Sequence, residues 1–159
     1  MHQVTLTRAT AQDAPALTAM VRTSRAYGGV YAPMVEGYEV TPAYIARHEV
    51  FKATDTTTDT TTDTLLGFYA LLLEPPPELD LAFVADEAQG RGIGRALLAH
   101  MRERARAAGL TDVRVVSHPP AEPFYLRMGA ERVGTVPAAP PKITWPRPDL
   151  RLPVTSVSR

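Results

Sequence analysis

Apolar and polar residues alternate from Val4 to Thr7 with the period of a half-buried strand, and Thr10 followed by Asp13 opens a helix running to about Ser24. Residues 27–41 lose this periodicity. Tyr27, Gly28, Gly29, Tyr31, Pro33, Gly37 and Tyr38 read as a mobile aromatic loop, after which Thr41 and Pro42 start a short helix. Glu49 to Ala53 and Leu65 to Leu73 predict two strands. Between them the Thr/Asp tract of residues 54–64 has nothing apolar to bury, which predicts a disordered or extended hairpin loop. Pro75-Pro76-Pro77 turns the chain into a third antiparallel strand, Glu78 to Val84.

Further on, Leu97, Leu98, Met101, Ala105 and Ala108 recur at helical spacing, so one side of this helix packs on a sheet and Gly109 stops it. Arg102, Arg104 and Arg106 read as a solvated face of the same helix. Val113 to Val116 predicts a short strand, Ala121 to Met128 a short helix ending at Gly129, and Arg132 to Val136 another strand. Five prolines in residues 137–149 predict an irregular surface crossing before a last edge strand near Leu150 to Val154. No internal repeat is visible.

Composition narrows the function classes. A chain of 159 residues fits a single domain, 1–159, that buries roughly two thirds of the surface its unfolded form exposes. The absence of cysteine excludes thiol nucleophiles, thiolate metal sites and disulfides. Its four histidines show no metal-ligand spacing, so no metal is expected. Lys plus Arg equals Asp plus Glu at 17 each, leaving no global field for nucleic acid or an anionic membrane. The longest apolar run, Leu65 to Leu73, is too short to span a bilayer, and the N-terminal stretch lacks a targeting pattern, so a cytoplasmic domain is expected.

The strongest local signal is Gln89-Gly90-Arg91-Gly92-Ile93-Gly94-Arg95, between the Glu78 to Val84 strand and the long helix. Unpaired N–H groups in a first helical turn, with the positive end of the helix dipole, hold a phosphate or pyrophosphate without a metal. Two familiar phosphate motifs fail. The dinucleotide fingerprint needs a glycine where Arg95 stands, and the P-loop needs a Lys-Ser or Lys-Thr that the chain lacks.

Gln89, Gly92 and Gly94 match the Q/R-x-x-G-x-G/A loop of the GNAT acyltransferase superfamily. The run Ala121-Glu122-Pro123-Phe124-Tyr125-Leu126-Arg127-Met128-Gly129-Ala130 resembles that family's A-x-x-F-Y-x-x-x-G-F/A stretch. The two motifs fall on the expected strand, loop, helix, strand, helix order, and the resemblance covers roughly residues 3–136, most weakly over 25–64. It implies an α/β GNAT fold: a mixed, mostly antiparallel central sheet of about six or seven strands flanked by about four helices, with the acyl-CoA-binding core at about 78–136. It further implies acetyl-CoA as acyl donor, its pyrophosphate on Gln89, Gly90, Arg91, Gly92, Ile93, Gly94 and Arg95, and Ala121 and Phe124 beside the cofactor. In this family the strand before the loop bulges and splays from its neighbour. Phe83 and Val84 would then pair with the pantetheine arm, and the Val84 N–H would face the oxyanion.

Tyr125 resembles the family's general acid, set against a plain packing role for a buried aromatic. Asp80 and Glu78 share one strand face and are the likeliest carboxylates to deprotonate an attacking ammonium, set against a merely solvated strand face. Glu122 is a lesser candidate. His118 is a further candidate base, although a lone histidine is more often simply hydrogen-bonded. The family's asparagine before the motif alanine is missing, Pro119-Pro120 standing there instead. Tyr27, Tyr31, Tyr38 and Tyr44 lie where the family closes over its acceptor. Trp145 reads as a packing anchor.

The combined reading is an N-acetyltransferase that moves acetyl from acetyl-CoA to a primary amine by direct attack in a ternary complex, with a small-molecule amine as acceptor. One alternative is a larger acyl-CoA, or a carrier protein presenting a phosphopantetheine thioester. Another is a catalytically silent acyl-CoA-binding module. A homodimer rests on family analogy alone.

Overall fold

A computed structural model describes residues 4–55, 64–141 and 143–155. Its centre is a seven-stranded sheet in the order β1-β2-β3-β4-β5-β7-β6. The strands are β1 (Val4–Arg8), β2 (Glu49–Asp55), β3 (Thr64–Leu72), β4 (Glu78–Val84), β5 (Asp112–Val116), β6 (Glu131–Val136) and β7 (Arg147–Pro153). All neighbours pair antiparallel except β4 and β5. The helices are α1 (Ala14–Thr23), a single turn α2 (Ala32–Val35), α3 (Pro42–Arg47), α4 (Ile93–Ala107) and α5 (Glu122–Arg127). This is the expected mixed, mostly antiparallel sheet.

Two apolar clusters fill the two faces of the sheet. Leu97, Leu98, Met101 and Ala105 of α4 lie with Leu79, Val113, Val115, Leu150 and Leu152 on one side. Leu17 and Val21 of α1 and Ile45 of α3 lie with Val50, Phe68 and Phe83 on the other. The helical stripe read in α4 is the stripe that is buried, because residues spaced three and four apart share one side of a helix.

Three sequence expectations need correction. The residues expected as a mobile aromatic loop form helical turns at Arg25–Tyr27 and Gly29–Tyr31 and then α2, with Pro33 in the first turn of α2, where its missing N–H is tolerated. The last strand is not an edge. It lies between β5 and β6, because Leu150 and Leu152, both 0% exposed, face the α4 side of the core, and β6 is the edge instead. Arg102 is not part of a solvated face: it donates to the carbonyls of Pro153 (3.1 Å) and Met128, tying α5 to the end of β7. Of the Thr/Asp tract, residues 56–63 lie outside the described residues, and its ends belong to β2 and β3. No helix among the described residues is long and apolar enough to cross a membrane.

Candidate active site

The parallel strands β4 and β5 share a single pair, Glu78 with Arg114, and then separate. On its other side β4 pairs with β3 along its length, with a register shift that leaves Asp80 unpaired between Leu79 and Leu81. The bulge therefore falls at Asp80, earlier than the expected Leu81 to Val84 segment. The Ala85 N–H donates to Leu66 O at 2.8 Å. Successive backbone groups of a strand point to opposite sides, so those of Phe83 face β3 and those of Ala82 and Val84 face the gap. Phe83 lines the gap with its ring, which stacks on Tyr27 (5.4 Å between centroids).

The glycine loop closes the wide end. Gly90 and Gly92 hold φ of 82° and 79°, a left-handed conformation that favours glycine. The first bond of α4 is Ala96 N–H to Gly92 O at 3.1 Å, which leaves the Ile93, Gly94 and Arg95 N–H groups without an intrahelical partner. Gly94 meets Phe124 of α5 so closely that an added Cβ would lie 3.2 Å from the ring. The Gln89 side chain donates to Val84 O at 3.2 Å, joining the loop to the open strand.

The resulting cleft has a volume of about 480 Å³ and runs from this helix terminus to the ends of β4 and β5. Of the residues named from sequence, Gln89, Gly90, Gly92, Ile93, Gly94, Arg95, Phe83, Val84, Ala121, Phe124, Tyr27 and His118 line it. Arg91 does not; it pairs with Asp55 at 3.4 Å. Its place at the mouth is taken by Arg127, which sequence reasoning missed although it stands two residues after Tyr125 inside the second motif. Among the described residues neither Arg95 nor Arg127 has an ion pair. Free N–H groups, two unpaired guanidiniums and an apolar throat suit a pyrophosphate followed by an uncharged arm.

Tyr125 is 8% exposed and is not among the residues that line the cleft, although Phe124 and Arg127 on either side of it are; its hydroxyl has no hydrogen-bond partner among the described residues. Burial pushes its pKa up to about 12, so the phenol is protonated at neutral pH. His118 is 7% exposed at the end of β5; its Nε2–H donates to Ala26 O at 2.6 Å and its ring stacks on Tyr27 at 4.0 Å. Burial lowers its pKa, with the Ala26 bond opposing, and Nδ1 has no partner.

Glu78 and Asp80 stand toward the paired start of β4 and, like Tyr31 and Tyr38, are not among the residues that line the cleft. The Tyr44 hydroxyl donates to Asp80 Oδ2 at 2.5 Å. Burial holds the Glu78 carboxyl above the usual carboxylate range, with Asp80 adding to the effect and Arg114 opposing it. Tyr38 lies near Asp80, and burial with that negative charge pushes its phenol up to about 12. Tyr31 packs edge-on against His118 and Trp145, at 4.5 and 4.7 Å between ring centroids. Glu122 pairs with Arg132 at 3.5 Å and does not line the cleft.

Comparisons with known proteins agree with this geometry. A family model described as an acetyltransferase (GNAT) domain matches residues 38–137. The ribosomal-protein-S18-alanine N-acetyltransferase from Escherichia coli superposes with a TM-score of 0.70 at 16% identity, covering 99% of this chain and 97% of its own. The PaiA N-acetyltransferase from Thermoplasma acidophilum, solved in complex with coenzyme A, gives 0.73 at 17% identity, with 95% and 99% covered. The yncA protein from Salmonella typhimurium, solved with its cofactor acetyl-CoA, gives 0.69 at 15% identity, with 99% and 97% covered. No curated protein sequence matches the chain. The matched family model spans well over half of the chain, which therefore belongs to the GNAT acetyltransferase family.

Proposed function

We propose that this GNAT domain is an N-acetyltransferase that moves the acetyl group of acetyl-CoA to a primary amine by direct attack in a ternary complex. The observation that carries the reading is the single Glu78–Arg114 pair between β4 and β5, beyond which an open backbone edge leads to an uncapped helix terminus. Residues 89–95 and Arg127 would bind the pyrophosphate end, and the Ala82 and Val84 backbone groups would bind the arm. The same N–H groups are the donors available to the oxyanion of a tetrahedral intermediate. Acetyl-CoA supplies an activated thioester; every other contribution is the chain's own.

Asp80 stands two residues, about 7 Å along a strand, from Ala82. With Glu78 it would take a proton from the incoming ammonium, directly or through a water, since an alkylammonium of pKa about 10 is no nucleophile. Tyr125 would donate a hydrogen bond to the departing sulfur. A phenol with a pKa pushed up to about 12 does not surrender its proton outright to a thiolate of pKa about 8.5. Its contribution is therefore to stabilise the developing charge while the nucleophile's proton is passed on. Direct attack fits a chain with no cysteine to carry an acyl group.

Initial-rate release of free thiol from acetyl-CoA, measured over a library of primary amines, tests this assignment. Amine-dependent release supports it, and release only from longer acyl-CoA or carrier-bound thioesters would replace the donor. Two further outcomes are expected. Arg95→Gln and Arg127→Gln should each raise the Kd for coenzyme A about tenfold, the worth of one charge-assisted contact, as read by calorimetry. Because the Glu78 carboxyl is held up, it gains a proton at higher pH than a free carboxyl. Acetyl transfer should then fall as pH drops through that raised value, and Glu78→Gln should lower the rate and abolish this acid limb.

A further inference from the structure

Three buried side-chain nitrogens lack a hydrogen-bond partner among the described residues: His118 Nδ1, Trp145 Nε1 and Arg147 Nε. They lie together. The rings of His118 and Trp145 both pack on Tyr31. The Ser117 N–H donates to Pro148 O at 2.9 Å, which brings Arg147 on β7 beside His118 on β5. Buried polar atoms in folded proteins are nearly always paired, so three orphans in one place mark a site completed by something outside the chain.

The charge pattern says what that something is. The other described arginines of β5 and β7 are paired, Arg114 with Asp149 at 3.0 Å and Arg151 with Glu131 at 3.1 Å. Arg147 has no ion pair among the described residues and only a long contact, 3.5 Å, to Pro137 O. The Trp145 indole offers a second N–H donor two residues away. Arg147 stands close to the paired start of β4, since Arg114, the partner of Glu78 across the β4–β5 pair, is held at 3.0 Å by Asp149, two residues from Arg147 on β7. A fixed cation with unspent N–H groups beside two carboxylates complements a ligand that carries both an anion and an ammonium.

We propose that the acceptor is a free amino acid, its carboxylate held by Arg147 and the Trp145 indole N–H while its amine lies toward Glu78 and Asp80. This rests on the acetyltransferase reading above and adds the chemical class of the acceptor. Tyr31 forms the wall between the carboxylate subsite and His118. The lone pair on His118 Nδ1 is the remaining acceptor in this wall, open to a donor on the amino acid's side chain.

The test compares L-amino acids with their carboxamides as acceptors for acetyl-CoA. The acids should give at least tenfold higher kcat/KM. Arg147→Gln should raise KM for the acid by about ten- to a hundredfold with kcat within about threefold, the loss of a charge-assisted contact, and so collapse the acid-to-amide ratio. Trp145→Phe, which keeps an aromatic side chain there but loses the pyrrole ring together with its N–H, should raise the same KM about fivefold. Equal rates for acids and amides, or a ratio that survives Arg147→Gln, would overturn the proposal. Calorimetry of the same amino acids on coenzyme A-saturated protein gives a readout independent of turnover. Amino-acid binding that depends on Arg147 supports the carboxylate subsite even if no acetyl is transferred, an outcome that would defeat only the transferase reading. No amino-acid binding to protein that does bind coenzyme A defeats the subsite and leaves the cofactor site standing.

Discussion

Tyr125→Phe is expected to lower kcat for acetyl transfer roughly a hundredfold while changing the Kd for coenzyme A by less than about threefold. The ring of Tyr125 belongs to the core beneath α4, so Phe keeps the packing. What is lost is a hydroxyl that is protonated and free of any partner in the described chain. A hydroxyl that makes no hydrogen bond within the fold contributes little to stability, and its removal should leave the melting temperature close to the parent's. A rate loss without a stability loss is the signature of a group kept for chemistry. If Tyr125→Phe turns over like the parent, the leaving sulfur is stabilised elsewhere. Tyr27 would then be the first residue to examine, since it lines the cleft itself and its phenol interacts with that of Tyr125.

The second large effect is expected at Gly67, far from either motif. A Cβ added there would lie 2.6 Å from Phe83 O and 3.3 Å from the Val84 Cα, backbone atoms that move only if β4 itself moves. Overpacking of this kind costs about 1–3 kcal/mol. For a chain of this size that lowers Tm by roughly 2–12 °C. Both atoms belong to β4, whose opposite edge faces the cleft, so a shift of the strand under Gly67→Ala should also weaken coenzyme A binding, whereas an overpacked residue elsewhere in the core would lower Tm alone. Gly134→Ala on β6, where the nearest heavy atom to an added Cβ is Asp149 Cβ at 4.0 Å, serves as the control and should leave both quantities close to the parent. A Gly67→Ala protein with unchanged Tm would mean that β4 is free to shift, against the rigid gap on which the site depends.

Much of the frame was legible because it is written in local patterns. The bounds of β4 were read directly, since Pro75-Pro76-Pro77 and the glycine loop punctuate both ends. The amphipathic stripe of α4 and the glycine turns before it follow from spacing alone. The position of β7 was not legible. Its sequence alternates as any half-buried strand does, and nothing within it says that it inserts between β5 and β6. The helical turns of residues 25–35 are each too short to show a period. Long-range contacts of the candidate site residues were not legible either. Arg91 was read as a phosphate partner because it sits in the loop, but its partner Asp55 comes from β2, a contact between residues 36 apart. Arg147 and Trp145 stand in a proline-rich stretch that carries no motif, and only the assembled sheet brings them to Tyr31 and His118.

The central claim is that the N-terminus of α4 and the open edge of β4 together hold coenzyme A. Isothermal titration of coenzyme A into the purified chain, repeated with dephospho-coenzyme A and with pantetheine, tests it most directly. The account predicts saturable binding of one coenzyme A per chain, weakened by Arg95→Gln and largely lost with pantetheine, which lacks the pyrophosphate. Absence of binding by coenzyme A and acetyl-CoA alike, or binding as tight for pantetheine as for coenzyme A, would contradict it.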